Sequence, residues 1–212
     1  MRNVLVFKFF SMLMFGLILI ISGCNFAIGH HYGTIKKMKE IQPHNSELLP
    51  EKGQALILFV RPPDGLSSEQ ASVFEVSGSN PILVGILAAG TRVAYQVDPG
   101  KHIFMSAGYG MVSELMSADL LPDKTCYAVV SVWGSGFPAG SRYYLNPVRP
   151  SDPKSGNPQT LLSNSRLVEK TSESEEWARD TMPNILKRLA SYEEELQNKK
   201  DLKVHLQEND SW

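Results

Sequence analysis

The amino-acid sequence predicts a mainly β fold, an antiparallel β-sandwich with a C-terminal α-helical extension, and three observations predict it. Between residues 54 and 148, short runs of β-branched and aromatic residues recur at regular spacing, separated by glycine, proline, asparagine and aspartate. No helix-length amphipathic run interrupts them, which argues for a sandwich or barrel over a nucleotide-binding α/β fold. Beyond residue 172 the apolar residues change to a helical spacing.

Strands are predicted at residues 54–60, 72–77, 82–87, 91–97, 102–107, 112–118, 125–133 and 142–148. Their connections carry turn chemistry. Gly78, Ser79, Asn80 and Pro81, and then Asp98, Pro99 and Gly100, supply the preset and positive φ angles that tight turns need. The β domain is thus read as residues 53–150, followed by a turn-rich linker at 151–171, in which 161–168 forms one last short strand or turn.

A helical tail is expected over residues 172–200. Ser172 or Ser174 is placed to cap it, and Glu175 and Glu176 fall in its first turn, where the helix dipole favours negative charge. Trp177, Ile185, Leu189, Tyr192 and Leu196 trace an apolar stripe, and Pro183 is expected to kink the helix or start a second one. Such a stripe either docks on the domain's own sheet or presents a helix to a protein partner. Residues 201–212 are charged and read as a frayed, disordered end.

The opposite end reads as an address. Arg2 and Lys8 precede an apolar stretch from Phe9 to Ile21, shorter than the roughly 20 residues a membrane-crossing helix requires. Ile21, Ser22, Gly23 and Cys24 resemble the bacterial lipobox, in which a peptidase cuts before a diacylated cysteine. The resemblance implies a signal peptide over residues 1–23, cleavage after Gly23, and a lipoprotein carrying palmitate-type chains on Cys24 that bind membrane lipid. Asn25, in place of an inner-membrane-retaining aspartate, favours the periplasmic leaflet of the outer membrane in a cell with two membranes. Residues 24–52 then read as a tether, with Lys36, Lys37 and Lys39 able to touch anionic headgroups weakly. His30 and His31 lack other ligand types at metal-binding spacing, so no metal and no cofactor beyond the lipid is expected.

Charge excludes one class of partner. Without Arg2 and Lys8 the formal net charge moves from −1 to −3, and neither the β region nor the tail is basic enough to suggest nucleic acid.

Residues 55–62, reading Ala-Leu-Ile-Leu-Phe-Val-Arg-Pro, are followed by Val84, Gly85, Ile86 and Leu87, by the turn from Val97 to His102, and by the strand that Thr125 and Cys126 open. In these motifs the chain resembles a family of small bacterial lipoproteins with an uncharacterised β domain similar to PEGA-type surface domains. The resemblance implies a prealbumin-like sandwich and carries no assigned activity.

Single residues argue against catalysis. Cys126 lies in a strand-like run, where a free cysteine behaves as a small buried hydrophobe, and Cys24, its only potential disulfide partner, is consumed by lipid. His102 follows a turn and is read as alternating outward or bonded to a backbone carbonyl, Arg61 as pairing with an acidic neighbour to brace the first loop. Gly134, Ser135 and Gly136 form neither a nucleophile elbow nor a P-loop. The expected role is a non-enzymatic envelope component that binds a protein partner through the 172–200 helix. The alternative is a glycan- or peptidoglycan-binding module, for which Trp133, Phe137, Tyr143 and Tyr144 flank a glycine-rich loop. Strand alternation requires one of the two adjacent tyrosines to turn inward.

Overall fold

Strand alternation and turn chemistry generate two stacked sheets. In the computed structural model, which describes residues 37–42, 48–63, 69–108, 114–134, 141–198 (side chains to Tyr192) and 204–212, all described residues belong to one compact unit within His31–Trp212. The signal peptide, Gly23, Cys24, His30, His31 and Phe137 lie outside the described residues.

The strands are β1 (Met38–Glu40), β2 (Ala55–Arg61), β3 (Ala71–Glu75), β4 (Ile82–Leu87), β5 (Thr91–Val97), β6 (Gly100–Ala107), β7 (Glu114–Leu120), β8 (Thr125–Gly134), β9 (Ser141–Pro147), β10 (Arg166–Lys170) and β11 (Val204–Leu206). They form a six-stranded sheet ordered β1-β10-β5-β2-β8-β9 and a five-stranded sheet ordered β11-β7-β6-β3-β4. The mainly β class with a C-terminal helix is as predicted. Three pairs, β2 with β8, β10 with β5 and β11 with β7, run parallel, so both sheets are mixed.

Inward residues of both sheets make the core. Ile57 and Phe59 of β2, Val73 of β3, Phe104 of β6, Met116 of β7, and Cys126, Ala128 and Val130 of β8 pack in one cluster. Phe59 and Phe104 meet edge to face at 5.1 Å, an arrangement that adds about 0.5–1.5 kcal/mol to their area burial. Two glycines are required, one by backbone conformation and one by space. Gly100 takes φ +135° at the β5–β6 turn, as its turn motif predicts, and a side chain at Gly108 would collide with the ring of Tyr143.

Helix α1 (Pro158–Ser163) begins with Asn157 capping the Thr160 amide. Its Leu161 and Leu162, with Leu48, cover Leu56, Leu58 and Val60 on the outer face of β2, which explains why every residue of β2 is buried. Helix α2 (Ser172–Asn198) covers the outer face of the five-stranded sheet: Trp177, Ala178, Met182, Ile185, Leu189 and Tyr192 join Phe74, Leu83, Met105 and Leu115. The apolar stripe from Trp177 to Tyr192 is therefore docked on the domain itself, and the Leu196 side chain lies outside the described residues.

Several local expectations are corrected. The cap of α2 is Thr171, whose hydroxyl accepts from the Ser174 amide while the Ser174 hydroxyl accepts from the Thr171 amide. Pro183 starts no second helix but sits inside one continuous helix; it lies on the exposed side, where water can satisfy the carbonyl freed by its missing N–H. The region read as a tether contributes β1, and Lys37 and Lys39 pair with Glu173 and Glu169. The linker contributes α1 and then β10, which overlaps the end of the short strand or turn expected at 161–168. The end read as disordered instead adds β11 and a single 3-10 turn, Glu208–Asp210, with Leu206 fully buried in the core. Arg149 holds this end through the His205 carbonyl (2.8 Å) and Asp210 (3.3 Å).

Candidate functional site

β8 and β9 pair antiparallel at one margin of the six-stranded sheet, with Trp133 opposite Arg142, Ser131 opposite Tyr144 and Val129 opposite Asn146. Alternation sends Cys126, Ala128, Val130 and Val132 inward with Tyr143 and Leu145, and leaves Tyr127, Val129, Ser131 and Trp133 outward with Arg142, Tyr144 and Asn146. The free edge of β9 is already used. Glu114 accepts from the Leu145 amide at 2.9 Å and Ser106 donates to the Tyr143 carbonyl at 2.9 Å, which blocks growth of the sheet by strand addition there.

The outward face of this pair is open. Trp133 is 70 % exposed, Arg142 and Asn146 are exposed and Tyr144 is half-buried; with Gly134 they line a shallow concavity of about 600 Å3. Neither Arg142 nor Tyr144 makes a hydrogen bond or ion pair with another described residue. The Asn146 amide donates to Ser131 at 3.3 Å, leaving its carbonyl oxygen as an acceptor. The arrangement offers an aromatic plane, a guanidinium fork, a phenol and an amide on one surface. Of the four aromatics expected around this loop, Trp133 and Tyr144 contribute to it. Tyr143 is 1 % exposed, its hydroxyl bonded to Glu69, and belongs to the core.

A second cluster closes one end of the sandwich. Glu75 of β3 accepts from the Tyr95 hydroxyl of β5 at 2.5 Å, lies 2.6 Å from His102 Nδ1 of β6, and takes a further bond from Ser77. His102 Nε2 lies 2.8 Å from the Asp98 carbonyl, which selects the backbone-bonded of the two placements expected of it. Burial alone would raise the Glu75 carboxyl, but the hydrogen bonds from Tyr95 and His102 outweigh it and hold the group below its ordinary range. Burial and the bond to Glu75 push the Tyr95 phenol up. Both His102 nitrogens are thus engaged, and the cluster ties three strands and a turn together. It was missed in the sequence because 27 positions separate Glu75 from His102.

A third cluster aligns Ser117 and Asp119 of β7 with His205 of β11. His205 Nδ1 is 2.6 Å from the Ser117 hydroxyl and Nε2 is 3.2 Å from Asp119. These are the residue types of a nucleophilic triad, but they sit on paired strands facing water and the Ser117 hydroxyl also reaches the Val204 carbonyl at 3.4 Å. Their evident work is to staple the C-terminal strand to the sheet.

Other candidates are structural. Cys126 is fully buried, and burial together with the nearby charge of Asp210 pushes its thiol up to about 12, far from a nucleophilic thiolate. Arg61 is 2 % exposed and donates to the carbonyls of Glu69 and Leu87, bracing the loop after β2; burial lowers its pKa. Among the described residues no group of His, Cys, Asp or Glu could hold a metal ion, and no helix is long and apolar enough to cross a membrane. No family model matches the chain, and no curated protein matches it.

Proposed function

We propose that this chain is a non-enzymatic bacterial envelope lipoprotein, anchored by acyl chains on Cys24 at the periplasmic leaflet of the outer membrane, which binds wall glycan through the outer face of β8 and β9. The observation that carries the binding reading is Trp133: a large aromatic, 70 % exposed, beside a cation and a phenol that bond no other described residue and an amide whose carbonyl oxygen is left as an acceptor. An exposed indole stacks on the apolar face of a sugar ring, while Arg142, Tyr144 and Asn146 supply hydrogen bonds to its substituents. The lipidation half of the proposal rests on residues 21–24, and the PEGA-like resemblance of the β domain is consistent with an extracytoplasmic module.

Binding to a protein partner through the 172–200 helix has less support, because the apolar stripe that would make the contact is packed on the domain's own sheet. A non-catalytic role is favoured by the condition of the reactive residue types: Cys126 is buried, both nitrogens of His102 are occupied, and Ser117 and His205 join two strands.

Cosedimentation of the detergent-solubilised lipidated protein with purified, protein-free peptidoglycan sacculi tests the binding half. The wild type is expected in the pellet, and Trp133→Ala should weaken binding by about tenfold or more, the usual cost of truncating an aromatic anchor. Equal sedimentation of both proteins, or of neither, contradicts the glycan reading. Retained palmitate labelling in Cys24→Ser would contradict the anchor.

A further inference from the structure

We infer that the ligand of the β8–β9 face is an acidic sugar, specifically a peptidoglycan strand from which the stem peptide has been removed, so that its muramic acid carries a free lactyl carboxylate. This inference rests on the glycan reading above and narrows it. Trp133 and Arg142 are directly opposed across the two strands with their side chains on the same face. Such cross-strand neighbours hold their Cβ atoms about 5 Å apart, so one sugar residue can stack on the indole while its substituent reaches the guanidinium.

Arg142 is suited to a carboxylate by chemistry and by circumstance. The guanidinium binds a carboxylate through two parallel N–H···O bonds. The other arginines of the two sheets and their connections are committed: Arg61 and Arg92 to buried carbonyls, Arg149 to Asp210, Arg166 to Glu40. Arg142 has no such partner among the described residues, and no acidic side chain lies on the outward face of β8 or β9. In a chain whose formal net charge is −1, this face carries one uncompensated positive charge beside its largest exposed ring.

A neutral sugar would leave that charge unanswered. In intact peptidoglycan the lactyl carbonyl is tied up as an amide to the stem peptide, whereas removal of the peptide frees a carboxylate a few bonds from the ring. The required upstream reaction is therefore an amide hydrolysis that releases the peptide and leaves the glycan chain intact.

Isothermal titration of the detergent-solubilised protein with three matched oligosaccharides tests the inference: a peptide-free strand bearing free lactyl groups, the same strand with its stem peptides, and a neutral oligomer of N-acetylglucosamine. The peptide-free strand should bind about tenfold or more tightly than either of the others. Arg142→Gln should bring its affinity down to that of the neutral oligomer, and Trp133→Ala should weaken binding of all three by about tenfold or more. If the neutral oligomer or the peptide-bearing strand binds as well as the peptide-free one, the acidic-sugar inference is overturned while the glycan reading stands. If none binds, both fall. A normal thermal transition for each variant shows that a loss of binding is not a loss of fold.

Discussion

Trp177 and Trp133 mark two outer faces of one sandwich with different fates. Trp177, on the sheet-facing side of helix α2, lies 6.3 Å from Phe74 and packs on a second core that includes Ala178 and Ile185, whereas Trp133 stands in the open beside Arg142. The chain supplies covering elements for the first face, and α1 with Leu48 for the middle of the other sheet, where Tyr127 joins their cluster and Trp212 meets it edge-on at 6.3 Å, yet Trp133 at the far end of β8 is left 70 % exposed. The difference separates roles: stability should be concentrated under α2, and binding on the face that no described element covers.

The contrast can be broken from the covered side first. Ile185→Ala removes a 2 % exposed side chain from the α2 interface and should cost about 2–5 kcal/mol in chemical denaturation. A change below about 0.5 kcal/mol would mean that α2 is not a packed part of the domain in solution.

The Glu75 cluster gives an intermediate effect that depends on pH. A carboxyl held below its unfolded value contributes stability that is complete above about 4.5 and is lost as pH falls through the lower folded value. The wild type should therefore lose stability on acidification in that range. Glu75→Gln should be less stable at pH 7 and show a flatter decline towards pH 3; an unchanged slope would place the acid sensitivity elsewhere.

Smallest of all should be the effect of Trp133→Ala on stability, within about 0.5 kcal/mol in the same denaturation experiment. A larger loss would show that this ring is structural and that the two faces are not so different.

How far these features were legible follows from the range of each signal. Alternation located the eight central strands within two residues of their ends, and it required one of Tyr143 and Tyr144 to face inward; Tyr143 is the buried one. Three-residue strands such as Met38–Glu40 and Val204–Leu206 are too short to show a period, and their pairing is decided by tertiary contacts such as Leu206 in the core. Alternation is also indifferent to strand direction, so the parallel partners of β2, β5 and β7 carried no local mark. The aromatic half of the candidate site was visible as residues around a glycine-rich loop. Its cationic half was not, because the opposition of Arg142 to Trp133 depends on the hairpin register.

The same register makes a direct measurement possible. The chain contains three tryptophans, Trp133, Trp177 and Trp212, each with its own indole N–H resonance. On titration of the nitrogen-15-labelled protein with the peptide-free strand, the Trp133 indole signal should shift in proportion to occupancy while the signal of Trp177, packed between α2 and the sheet, stays in place. A shift of Trp177 in preference to Trp133, or no shift of either at saturating glycan, would contradict the assignment of binding to the open face of β8 and β9.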